Sequence, residues 1–373
     1  MNSPKLLFLV TEDWYFCSHR LPLAIAAKEA GYDVSVITRV RNDGDRIRSA
    51  HIRLIPYENN RHSLNPLSLI RDIVRLVTIY RKEQPDIVHH VALKPVIIGS
   101  VAARLAGVKL TVNALAGLGW MYSSNNRRAA WLGVAVRHLL ASVLARSRII
   151  VQNPDDRTWL LDLGISDESI TLIRGSGVDI RQFYPKAAMP VVPVVILASR
   201  MLWEKGVGEF VEAAAEVKRR GTTARFVLVG APDLGNPGSV PDKQLRDWAA
   251  DGVVEWWGKR DDMTDVLAQA QIACLPSYYG EGVPKFLLEA AAAGLPIVTT
   301  DSPGCRETVV QNVNGLAVPP RDPSALADAL NALLHDSGRR AEMGRNSRKL
   351  AETEFSIDRV TSETLALYRK SFL

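Results

Sequence analysis

Short apolar runs alternate with helical stretches along this chain, and that alternation limits what it can fold into. Residues 5–11, 34–38, 52–56, 86–90, 109–113 and 149–152 read as strands. Between them, residues 67–81 and 95–106 carry helical periodicity, with Gly107 placed to stop the second. Ser18 is positioned to cap a helix running to Ala30, after a polar loop from Glu12 to His19, while residues 39–49 read as a charged loop. The same rhythm resumes with strands at 194–198, 226–230, 272–275, 296–300 and 315–318, and helices at 262–270, 324–335, 339–352 and 357–372. Such a pattern predicts an α/β protein built on parallel sheets wrapped by helices. A length of 373 residues suits two domains. The Pro- and Val-rich segment 185–193 marks the hinge, giving domains at 1–185 and 190–355. In sheets of this kind ligands gather at the carboxyl ends of strands. His19, the group His89, His90 and Lys94, and the loop 116–120 are expected around one crevice.

One stretch carries the chemistry. From Leu275 to Glu307 an apolar run breaks at Pro276-Ser277, turns through Gly280-Glu281-Gly282, and enters a helix with Pro284 in its first turn and Gly294 as its stop. A glycine-rich turn feeding a helix tip suits an anion, because the first N–H groups lack helical partners and the macrodipole is positive there. Glu281 and Glu289 flank it. Carboxylates beside an anion site make sense for a ligand with both phosphates and hydroxyls, such as a nucleotide-sugar. The plainer reading makes Glu281 a solvated turn residue and pairs Glu289 with Lys285 four residues earlier, a contact contributing about 0.2–0.5 kcal/mol.

The run E-G-V-P-K-x-x-L-E-A-x-A-x-G-x-P-I-V, followed by D-x-P-G-x-R-E, resembles the donor-side signature of retaining GT-B glycosyltransferases of family 4. The likeness covers nearly the whole chain and is nearest to the capsule and lipid-linked-oligosaccharide branch (CapM-like, PglA-like). It implies the GT-B fold: two doubly wound Rossmann-like domains facing across a cleft, with a last helix, 356–373, packing back on the first. It implies diphosphate clamps at Arg200 and Lys205, donor-sugar contact at Glu281, ribose contact at Glu289, and phosphate contact along Gly282, Val283, Pro284, Lys285 and Phe286. The nucleobase would lie on backbone groups at Gly258 and Lys259. The segments T-E-D-W-Y-F-C-S-H-R-L-P-L-A and A-G-L-G-W resemble the acceptor half, which brings in Gly117 and Gly119. Many members carry a histidine near the position of Ala116; this chain has none there, leaving His19 as a substitute or a plain turn histidine. Lys94 is placed to hold an acceptor pyrophosphate, or is a solvated surface lysine.

The expected activity is metal-independent transfer of a sugar from a UDP- or GDP-linked donor to a hydroxyl of a polyprenyl-diphosphate-linked saccharide, with no cofactor beyond the nucleotide-sugar co-substrate. A glycoside hydrolase, a nucleotide-sugar 2-epimerase and a non-catalytic sugar-binding protein remain as alternatives. Asp43-Gly44-Asp45 has the form of a metal-binding D-x-D but reads as a turn. Residues 1–185 hold 24 Lys and Arg against 16 Asp and Glu, whereas the remainder hold 22 against 24. A basic front half suits an anionic partner, and residues 126–148, basic with apolar faces, suit an anionic membrane surface as well as they suit the core. Nucleic acid is not expected, since no binding signature accompanies the charge. Cys17, Cys274 and Cys305 lack metal or disulfide spacing, and residues 1–11 lack a signal-peptide pattern. Both suggest a cytoplasmic protein, and the basic stretch together with the implied lipid-linked acceptor suggests one peripheral on the inner face of the plasma membrane.

Overall fold

A computed structural model describes residues 3–58, 65–118, 140–186 and 191–372. The chain divides into two compact units, residues 1–176 with 357–373 and residues 177–356.

The first unit holds a seven-stranded sheet: β1 (Lys5–Glu12), β2 (Asp33–Arg39), β3 (Arg53–Pro56), β4 (Ile87–Val91), β5 (Leu110–Ala114), β6 (Arg148–Val151) and β7 (Ile170–Leu172). The order is β3-β2-β1-β4-β5-β6-β7, and every pair is parallel. Helices cover both faces, so the strands read as unbroken apolar runs. Side chains alternate between faces: Leu6, Phe8 and Val10 join one core cluster, Leu7 and Leu9 another. The helices are α1 (Asp13–His19), α2 (Leu21–Glu29), α3 (Gly44–Ser49), α4 (Pro66–Glu83), α5 (Leu93–Ala106) and α6 (Pro154–Asp162).

The second unit holds β8 (Val194–Ala198), β9 (Arg225–Val229), β10 (Glu255–Trp256), β11 (Ile272–Leu275), β12 (Ile297–Thr300) and β13 (Gly315–Val318), all parallel, in the order β10-β9-β8-β11-β12-β13. Around it lie α7 (Val207–Arg219), α8 (Asp242–Ala250), α9 (Met263–Leu267), α10 (Lys285–Ala292), α11 (Pro323–His335) and α12 (Ser337–Glu354). Strand order reverses between β1 and β4 in one unit and between β8 and β11 in the other, which makes these the switch points where ligands bind in doubly wound sheets. The last helix, α13 (Ile357–Phe372), belongs to the first unit, where Val360, Leu365 and Tyr368 enter the core beside Phe8 and Phe16.

Several elements differ from the sequence expectation. Residues 13–19 form α1 instead of a polar loop, and Ser18 lies inside it, so it caps nothing. Asp13 explains this: its buried carboxylate accepts the backbone N–H groups of Trp14, Arg41 and Asp43, stabilising a helix start. Arg20 then separates α1 from α2, where Pro22 sits in the first turn. Asp43-Gly44-Asp45 opens α3 and is not a turn; Asp43 and Asp45 pair with Arg46 and Arg48, each three residues on. β7 was not anticipated, being three residues long. The units divide at residue 177, ahead of the expected hinge. Val178 donates to Phe355 O, Phe183 is buried in the second core, and the Arg348 guanidinium donates to Ile180 O and Phe183 O. These bonds fasten residues 177–185 to the second unit.

Candidate active site

The second unit brings most of the predicted donor residues to the carboxyl edge of its sheet. β8 ends at Ala198, and the loop beyond carries Arg200 and, in a 3-10 turn Trp203–Lys205, Lys205. β11 ends at Leu275, and its loop carries Ser277 and Glu281 into α10. A third loop leaves β12 through Gly304. Two glycines let these loops interlock. At Gly206 (φ +75°) a Cβ would stand 2.1 Å from Pro276 O, and at Gly304 (φ +83°) one would stand 2.0 Å from Gly282 O. Both positions need the left-handed region and the missing side chain together.

Lys205 Nζ donates to Glu281 Oε2, and Ser277 Oγ lies 2.6 Å from the other carboxylate oxygen. The Glu281 N–H donates to Pro303 O at 3.2 Å. Ser277 is itself fixed, since its carbonyl accepts from Ser302 Oγ (2.9 Å) and Thr300 Oγ1. Arg200 Nη1 donates to Asp233 Oδ2 at 2.7 Å. Asp233 comes from loop 231–240, which is knitted to the Arg200 loop by Met201 N to Ala231 O (3.1 Å), Trp203 N to Gly238 O (2.9 Å) and Val240 N to Met201 O (2.9 Å). Each predicted phosphate cation therefore rests against a carboxylate.

Pro284 is the residue before α10, one place outside the first turn predicted for it, because its ψ of 123° is extended. No side chain caps this helix end, and Leu287 N to Pro284 O (3.0 Å) begins the backbone bonding. Val283 and Phe286 bury their side chains in the core, so what they present is backbone. Glu289 is buried one turn further, 3.4 Å from Lys285 Nζ, in the i,i+4 pair the plainer reading describes. Burial pushes its pKa up, against the lowering effect of Lys285. Gly258 O accepts from Gly230 N at 2.8 Å, fixing the loop expected to seat the nucleobase to the end of β9. Lys259 points to solvent, 3.4 Å from Asp261.

The first unit treats its predicted residues differently. His19 ends α1 with its ring stacked on Tyr15, centroids 4.1 Å apart, and Nδ1 3.3 Å from Tyr15 O. Lys94 is half-buried and 3.7 Å from the Asp72 carboxylate; burial lowers its pKa. It is therefore not a solvated surface lysine. His89 and His90 do not line a crevice. They are fully buried in β4, where period-2 alternation sends them to opposite faces. His89 Nδ1 meets Tyr368 OH, while His90 joins Tyr80 OH (3.0 Å) and Asn113 Oδ1 (2.8 Å). Desolvation pushes both pKa values down, His90 to about 4. Gly117 has φ +97°, and the next N–H, of Leu118, donates to Asp156 Oδ1 at 3.3 Å. Burial raises the Asp156 pKa to about 6. Gly119, and residues 126–139 of the basic stretch, lie outside the described residues.

Sequence reasoning missed Asp233 and Ser277 as partners of Arg200 and Glu281, and Asp156 as the partner of the Leu118 N–H beside Gly117. Only Ser277 carried a signal, a hydroxyl four residues ahead of Glu281 at the end of an apolar strand.

Comparison with known proteins covers both units. A model of glycosyl transferases group 1 matches residues 192–336, and a glycosyl transferase 4-like model matches residues 5–153. The N,N'-diacetylbacillosaminyl-diphospho-undecaprenol alpha-1,3-N-acetylgalactosaminyltransferase of Campylobacter jejuni is 28% identical over 364 residues, 94% of each chain. The UDP-Gal:alpha-D-GlcNAc-diphosphoundecaprenol alpha-1,3-galactosyltransferase of Escherichia coli is 27% identical over 81% of this chain and 80% of its own. Among solved structures, Anabaena HepE in complex with UDP and glucose superposes with a TM-score of 0.80 at 19% identity, covering 98% of this chain and 99% of that one. Two parallel-sheet units of matching topology, each recognised by its own glycosyltransferase model, identify the chain as a glycosyltransferase of GT-B fold belonging to family 4.

Proposed function

We propose that the protein transfers a sugar from a nucleotide-sugar, UDP-linked in the first instance, to a hydroxyl of a polyprenyl-diphosphate-linked saccharide during surface polysaccharide synthesis. The observation that carries this reading is the Lys205–Glu281 pair in the loop that enters the uncapped start of α10, with Arg200 on the same β8 loop as Lys205. A nucleoside diphosphate leaves as the glycosidic bond breaks, and negative charge grows on its β-phosphate oxygen. Two fixed cations and the first N–H groups of a helix stabilise that charge without a metal ion. Glu281 accepts from hydroxyls of the donor sugar, and Glu289 from those of the ribose. The acceptor hydroxyl attacks the face the diphosphate leaves, so the anomeric configuration is retained. Its proton passes to the departing phosphate oxygen, which needs no protein nucleophile. The two relatives named for undecaprenyl-diphosphate sugars support the acceptor class. Surface polysaccharide synthesis of this kind puts the enzyme on the cytoplasmic leaflet.

The test begins with a thermal-shift screen of UDP-, GDP- and ADP-sugars, since a ligand of the native state raises its melting temperature. One nucleotide class is expected to stabilise the protein. Glu289→Ala is expected to remove most of that shift, and Arg200→Ala with Lys205→Ala to abolish transfer. Unchanged turnover in the double variant would remove these residues from the site.

A further inference from the structure

α4 carries an apolar line that the core does not use. Asp72, Leu76 and Tyr80 are its buried residues, turned toward the first unit. Leu67, Ile70 and Val74 stand 77%, 59% and 59% exposed. At 100° per residue these three fall within about 60° of one another, on the side away from Leu76. Arg71 and Arg75, also exposed, flank the line. In the last turn of α4, Arg81 falls on the same line and donates to the carbonyl of Leu105, itself 57% exposed near the end of α5. Among the described residues of α4 no acid shares this face: Asp72 is buried against Lys94, and Glu83 is paired with Arg53.

From this geometry we infer that the outer face of α4 docks on an anionic lipid bilayer, lying in the interface with Leu67, Ile70 and Val74 among the acyl chains and Arg71 and Arg75 at the headgroups. Charge decides the occupant. A helix with apolar residues on one line and arginines beside it matches an interface that is apolar below and anionic above. A second copy of the chain would set arginines against arginines with no acid to meet them. This adds a membrane-facing element to the lipid-linked-acceptor reading, yet its test needs no turnover, so the two can fail separately.

The purified full chain is sedimented with phosphatidylcholine vesicles, with and without phosphatidylglycerol. Binding is expected only with the anionic lipid, and is expected to weaken as salt rises. Arg71→Gln with Arg75→Gln should weaken it roughly 30-fold, and Leu67→Ser, Ile70→Ser and Val74→Ser together by at least about tenfold. Both variants should keep the wild-type melting temperature and nucleotide-induced shift. The inference is overturned if the wild type ignores the anionic vesicles, or if folded variants bind as well as wild type. It is equally overturned if the wild type is a dimer that the triple variant dissolves without any change in vesicle binding.

Discussion

At the residue scale, the role proposed for Glu289 works against stability. Its pKa is raised in the folded state by burial, so its contribution is fully favourable below the unfolded value near 4.5 and is lost as pH rises through the folded one. Holding the charged form of this side chain inside the fold therefore works against stability. Glu289→Gln is expected to raise the melting temperature at pH 7 while weakening donor binding about tenfold, because a neutral acceptor forms weaker bonds to hydroxyls. Calorimetry and nucleotide titration on the same preparation read both effects. Ser277 donates a hydrogen bond to the Glu281 carboxylate, so the proposed role of Glu281 depends on it. Ser277→Ala should lower kcat/KM about tenfold at a stability loss of about 1 kcal/mol, with kinetics and urea unfolding as the paired readout. The placement of Arg200, Lys205 and Glu281 in loops at one sheet edge, and of Glu289 in the helix that follows, was legible because each sits in a short local pattern. Asp233 was not, since it meets Arg200 across 33 residues through loop pairing that no local pattern records.

At the element scale, interlocked loops make glycine a structural requirement. Gly304→Ala puts a side chain against Gly282 O in a left-handed backbone, and is expected to cost more than about 2 kcal/mol. The urea midpoint should fall and the nucleotide-induced thermal shift should vanish together, because the displaced loop carries Glu281. Long, strongly periodic elements were readable: α13 runs where periodicity put it, and α4 covers the whole of the expected 67–81. The failures were short. α1 depends on backbone N–H groups arriving at Asp13 from residues 41 and 43, and α3 is only six residues long. Such pieces are selected by tertiary contacts, which outweigh local propensity.

At the scale of the whole molecule, the first unit is completed by the far end of the chain. Removing residues 357–373 takes Val360, Leu365 and Tyr368 out of its core and leaves His89 without the Tyr368 hydroxyl. Two thermal transitions are then expected, an early one from the first unit and a later one that nucleotide still raises; a single cooperative melt would contradict the division at residues 176 and 356. Residues 177–356 are self-contained, closed by the Val178–Ser356 bridge and by Arg348.

That ordering reaches back to the ribosome. The first 176 residues emerge early but lack their final helix until all of residues 177–356 have been made, a wait on the order of ten to forty seconds. The second unit has its whole sequence first and can fold while the earlier one is still open. A nascent chain therefore holds unsatisfied apolar surface around Phe8 and Phe16 through half of its synthesis, and chaperone demand for this protein should fall on its leading half.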